Sequence, residues 1–108
     1  MIYIEDLPSR PWGVIIFKGK QPYYDWSNSF DDDVFMKPSI DDGLTLMVSD
    51  DLGEEGAVRF VKKNYPQIFE ELLFAMYTTE DRWPQNRTFK LFEEWVDWQY
   101  CSLVRDAR

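Results

Sequence analysis

A β-branched run at residues 14–17, bounded by Gly13 and Gly19, is the strongest strand signal in this 108-residue chain. An apolar run of this length between turn residues is typical of a strand that is buried on both faces. A second run, at residues 44–48, follows a turn and predicts another strand. The first half of the chain is therefore expected to supply a sheet around which the rest must pack.

Helical periodicity dominates the second half. Asp51 and Glu54 match a capping box, in which each side chain bonds to the backbone N–H of the other residue. The helix that begins there is predicted to end before Pro66, because the residue before a proline resists the helical conformation. Pro66 is predicted to open a second helix. Thr88 is predicted to cap a third.

The two ends of the chain complete the predicted fold. Residues 98–104 are rich in strand formers and are expected to form a strand in the same sheet as residues 14–17, although the same residues could also continue the preceding helix. Residues 2–4 support at most a short edge strand, residues 19–22 a turn, and residues 27–43 a long loop. The prediction is a single α+β domain with a three- to four-stranded mixed or antiparallel sheet. Two or three helices from the C-terminal half pack on one face of it.

Negative charge is concentrated in one segment. Residues 25–55 contain ten of the twenty acidic side chains and one base, Lys37, which gives the segment a formal charge of −9. The remaining residues carry eleven bases and ten acids. A localised field of this kind attracts basic partners and opposes binding to nucleic acids and anionic membranes, both of which require clustered Lys and Arg.

The acidic segment also contains aromatic residues that can anchor an interface. Steering by charge raises the association rate, while buried rings supply affinity. The predicted contact residues for a basic protein partner are Tyr23, Tyr24, Trp26, Asp31, Asp32, Asp33, Asp41 and Asp42. Nuclease inhibitors and immunity proteins present comparable surfaces, which is an analogy of surface and not of family. The simpler alternative is an acidic loop that favours solubility and binds nothing.

The chain contains no histidine, which removes the usual general base and the commonest metal ligand. No register of the acidic residues matches the ligand spacing of an EF-hand loop. We therefore predict no catalytic residue, no metal ligand and no cofactor, and expect a protein that is not an enzyme. The alternative is a carboxylate-dependent hydrolase or a protein that binds a divalent cation.

A single cysteine, Cys101, excludes an internal disulfide and fits a reducing compartment. It is expected to be a buried, unreactive thiol. Residues 1–6 lack the basic and apolar regions of a secretory signal, so the predicted location is cytoplasmic. Trp83 is expected to fill the core beneath a connection between helices. Oligomeric state is left open, because an exposed edge strand could pair with a second copy.

Overall fold

In a computed structural model, which describes residues 2–30, 36–39 and 42–108, the chain forms a three-stranded antiparallel sheet and three α-helices. The strands are β1 (Trp12–Gly19), β2 (Leu44–Ser49) and β3 (Val96–Cys101), and the helices are α1 (Gln21–Asn28), α2 (Gly53–Met76) and α3 (Phe89–Trp95). The predicted α+β class is confirmed. The prediction that the helices of the second half pack on one sheet face stays a prediction.

β1 is the central strand, with β2 on one side and β3 on the other. Ile15 and Phe17 are fully buried, whereas Val14 and Ile16, which point to the opposite face, are only half-buried. The prediction that this strand is buried on both faces is therefore wrong. An antiparallel sheet needs its core on one side only, so side chains that alternate along the strand meet different environments.

Both flanking strands form where the sequence places them, within a few residues. β2 pairs with β1 along its whole length, from Leu44 opposite Phe17 to Ser49 opposite Trp12. β3 also pairs with β1, so the strand prediction for the C-terminal segment is confirmed and the helical alternative is wrong. β3 begins at Val96, directly after the last residue of α3.

Two elements near the N-terminus differ from the prediction. The residues read as a turn open α1 instead, with Pro22 in its first turn, where the missing N–H costs no hydrogen bond. The expected edge strand at residues 2–4 is replaced by a 3₁₀ turn at Ile4–Asp6, and Ser9 forms an isolated bridge with Arg105.

α2 is one helix of 24 residues that runs through Pro66, so the predicted break there is wrong. Buried residues on both sides of the proline, such as Val61 and Ile68, keep the helix continuous by packing into the core. The predicted capping box is also wrong. The chain enters α2 through Gly53, whose φ of 74° lies in the left-handed region. The Asp51 side chain does not cap the helix, and the Gly53 N–H donates instead to the Tyr100 hydroxyl at 3.3 Å. Thr88 does cap α3, since its hydroxyl accepts from the Leu91 N–H at 3.1 Å.

The core joins the sheet to the helices through aromatic rings. Phe92 of α3 lies fully buried, with its ring centroid 6.5 Å from that of Phe17 and 5.6 Å from that of Phe69. Trp83 is buried as predicted, and its indole N–H donates to the carbonyl of Tyr77 at 2.8 Å. Edge-to-face ring pairs of this kind add ~0.5–1.5 kcal/mol each to the free energy of area burial.

Candidate functional site: the open edge of β2

Tyr23 and Tyr24 belong to the core and do not present their rings at the surface. They are 4% and 2% exposed, on the inner side of α1. The Tyr23 hydroxyl donates to the carbonyl of Leu72 at 2.5 Å, and the Tyr24 hydroxyl donates to Oδ2 of Asp42 at 3.1 Å. Their place in the acidic segment predicts surface anchors. α1 instead turns this face inward, because helix formation places neighbouring rings over the apolar sheet.

Burial also raises the pKa of both phenols. Loss of solvent is the main cause that raises the pKa of Tyr24 to about 12, and the hydrogen bond to Asp42 adds to it. Burial likewise raises the pKa of Tyr23, with further contributions from Tyr24 and Asp42. Their hydrogen bonds to the Leu72 carbonyl and to Asp42 hold α1 and Asp42 in place.

Trp26 is half-buried and connects α1 to the segment before α3. Its indole N–H donates to the carbonyl of Arg82 at 2.8 Å, and its ring lies 5.5 Å from Tyr77 and 5.8 Å from Trp95. These contacts account for the position of the ring without any partner. Whether its exposed part also contacts another protein stays a prediction.

The remaining predicted contact residues are acidic. Asp31, Asp32, Asp33 and Asp41 lie outside the described residues. Asp42 is half-buried beside a cleft of about 140 Å³ that Tyr23 and Tyr24 also line. The structure therefore brings together three of the predicted residues, Tyr23, Tyr24 and Asp42, but in a supporting cluster beneath the surface.

Apart from Asp25 on α1, the described carboxylates of the acidic segment lie at the two ends of β2. Asp42 precedes the strand, and an exposed group follows it: Asp50, Asp51, Glu54 and Glu55. At ~3.4 Å per residue, β2 itself spans roughly 17 Å between these two groups. Charge at the first end is partly balanced, because Lys18 Nζ donates to the backbone carbonyl of Asp42 at 3.0 Å. Among the described residues, the second end, which we call the acidic junction, carries more carboxylates than the first.

Carboxylates of the acidic junction form no ion pair with a described cation, although Arg59 lines the same surface cleft as Glu54 and Glu55. In residues 2–30, 36–39 and 42–108, ion pairs join Arg10 and Arg108 to Asp106 and Arg87 to Glu70, and none involves the junction. Within the junction, Asp51 accepts a short hydrogen bond from the Ser49 hydroxyl. Its charge is therefore available to attract a cation from outside the protein.

β2 itself is an open edge of the sheet. It pairs with β1 on one side, and no described strand pairs with it on the other. No residue of the strand is charged, and Met47 is 63% exposed on the outer face. Unpaired N–H and C=O groups along an uncharged edge are a template for another strand.

A groove lies along this edge, between β2 and α2. Its volume is about 360 Å³, and its described walls come from these two elements alone. Leu44 and Leu46 line the strand side. The helix contributes Phe60, Asn64, Gln67, Ile68 and Glu71. The site that we consider functional is this groove together with the open β2 edge and the acidic junction.

Sequence reasoning found the strand but missed the helix side of the groove. Phe60, Asn64, Gln67 and Glu71 recur at spacings of three and four, which places them on one stripe of a helix. That signal was present in the sequence. The predicted break at Pro66 divided the stripe between two helices and concealed it.

Other side-chain clusters in the described part of the chain do not form a metal centre. No three carboxylate or thiol side chains there are grouped to hold a metal ion. Cys101 is half-buried, less than the full burial expected of it. Hydrogen bonds from Arg108 and Arg10 hold the pKa of Asp106 well below its usual range, so this arginine cluster is engaged in an internal ion-pair network.

No protein family, curated protein or solved structure matches this chain. Within the described residues, no helix combines the length and the apolar character that crossing a membrane requires. Function is therefore inferred from the physical properties of the β2 site.

Proposed function

We propose that the protein is a cytoplasmic, non-enzymatic binding protein that recognises a basic protein partner through its acidic segment, in the manner of an inhibitor or immunity protein. The observation that carries this proposal is the acidic junction. Asp50, Asp51, Glu54 and Glu55 are exposed, adjacent and without an ion-pair partner among the described residues. They stand at the end of an uncharged strand edge.

The contact surface differs from the one expected from sequence. In this proposal the buried Tyr23 and Tyr24 do not contact the partner but support the surface by fixing α1 and Asp42. Apolar contact with the partner comes from the groove residues Leu44 and Leu46. Carboxylates of the junction steer the partner during approach, which mainly raises the association rate and is reduced by salt. The groove and the strand edge then determine how long the complex lasts.

Replacing Asp50 and Asp51 with asparagine tests the proposal. The protein is immobilised and exposed to extract of its source cell at low salt, and a basic partner eluted by raised salt is purified. Its association rate is then measured by surface plasmon resonance. The double variant should associate at least tenfold more slowly at low ionic strength, and this difference should shrink as salt is added.

A matched control is Glu93→Gln with Glu94→Gln, an adjacent exposed pair on α3. It removes the same charge from another part of the surface and should change the association rate by less than twofold. Equal effects of the two double variants would show that only net charge matters. Absence of any basic partner whose binding depends on Asp50 and Asp51 would refute the proposed function.

A further inference from the structure

We propose that the partner supplies an extended segment that pairs with the open edge of β2 as a fourth strand and inserts its alternate side chains into the groove between β2 and α2. This inference rests on the proposed function and specifies how the basic partner is recognised. Strand addition of this kind obtains affinity from main-chain hydrogen bonds and specificity from pockets for alternate side chains.

The backbone of β2 is suited to receive a strand. All six of its residues are in register with β1, so the strand is held extended by one neighbour. Each strand has two hydrogen-bonding edges, and in the described chain only one edge of β2 is used. An added segment would therefore find N–H and C=O groups already spaced for an antiparallel ladder.

Groove dimensions match the side chains of such a segment. Side chains on one face of a strand repeat every ~6.8 Å, so the ~17 Å length of β2 faces two or three of them. The groove offers about 360 Å³, with Leu44, Leu46, Phe60 and Ile68 as its apolar lining. This volume lies in the range of ~300–1,000 Å³ that is typical of ligand pockets.

The negative charge of the acidic junction determines which class of partner segment can pair with β2. In an antiparallel addition, the N-terminal end of the incoming strand lies beside Ser49 and the acidic junction. Lys or Arg at that end would meet Asp50 and Asp51. A second copy of this chain would bring its own Asp42 towards Asp51 if the two β2 strands paired, and like charges disfavour that arrangement. The expected ligand is therefore a basic pair followed by alternating apolar residues.

The probe is a blocked, fluorescently labelled octapeptide of sequence Lys-Lys-Val-Thr-Val-Thr-Val-Thr, and its binding is measured by fluorescence polarisation at low ionic strength. Two further versions are N-methylated at alternate residues, on one strand edge or on the other. N-methylation keeps charge and side chains but removes the N–H donors of one edge. At least one of these versions should bind at least tenfold more weakly than the parent peptide.

Substitutions in the protein test the groove. Gln67 is exposed on α2 and lines the groove, so Gln67→Trp should fill the space without disturbing the core and weaken peptide binding at least tenfold. Gln99→Trp makes the same change on the exposed outer side of β3 and should alter binding by less than twofold. Circular dichroism checks that both variants are folded.

Three results would overturn strand addition: no binding of the parent peptide, equal binding of all three peptides, or equal binding to the Gln67→Trp and Gln99→Trp proteins. None of them would affect the proposed function if Asp50→Asn with Asp51→Asn still slowed association of the basic partner. A dimer seen by analytical ultracentrifugation and dissociated by Gln67→Trp would instead identify a second copy as the occupant. That outcome would also overturn the inference.

Discussion

Replacing Pro66 with alanine should stabilise the protein, because Pro66 lies inside a continuous helix. A proline there has no N–H to donate to the carbonyl of Lys62, and its ring crowds that carbonyl. Proline in a helix interior is ~3 kcal/mol less favourable than alanine. The ring is exposed, so its removal leaves no cavity in the core.

Part of this gain is offset in the unfolded chain. Proline restricts the unfolded state, and losing that restriction costs ~0.4–1 kcal/mol. The free energy of unfolding should therefore rise by about 2 kcal/mol. At ~4–8 °C per kcal/mol for a domain near this size, the Tm should rise by roughly 8–16 °C. Urea unfolding and calorimetry measure the two quantities independently.

Gln67→Ala is the matched control, since Gln67 is the next residue, is equally exposed and has nearly the helix propensity of alanine. It should change stability by less than ~0.5 kcal/mol. If Pro66 instead opened a second helix, its missing N–H would cost nothing, and Pro66→Ala would be neutral or destabilising. That result would refute a continuous α2 and, with it, the helix wall of the groove.

Two further predictions concern the core. The pKa of Tyr24 is raised from 10.0 to about 12, so the stability it contributes is fully present below pH 10 and is lost as the pH rises to 12, at ~1.4 kcal/mol per pH unit. Tyr24→Phe should reduce this slope in urea unfolding at pH 10 to 11, and an unchanged slope would contradict burial of the phenol. Phe92→Ala removes a fully buried ring and should cost ~3–5 kcal/mol. Phe74→Ala, at a residue that is 53% exposed, should cost less than ~1 kcal/mol, and similar costs at the two positions would contradict the described core.

Several elements could be predicted from local sequence because their signals are local. β-branched and aromatic residues identified β1, β2 and a third strand, β3, in the same sheet as β1. Thr88 marked the start of α3 because a hydroxyl at an N-cap bonds to an N–H only three residues away. The concentration of acidic residues was likewise visible in the sequence itself.

Other features could not be predicted, because a tertiary contact outweighed a local preference. α1 forms although its residues read as a turn, and it buries Tyr23 and Tyr24, which composition alone placed at the surface. Pro66 favours a helix boundary locally, yet packing on both sides of it carries α2 through. In each case burial of apolar surface contributes more than the few kcal/mol that the local preference is worth.

The sequence by itself determined where strands can form, where α3 begins and which segment carries the negative charge, because each depends on neighbouring residues. Only the tertiary structure decided which aromatic rings are buried, that β2 lies at an edge, and that a groove separates it from α2. Those features depend on which residues meet across the fold, and contacts between distant residues leave no short-range pattern in the chain.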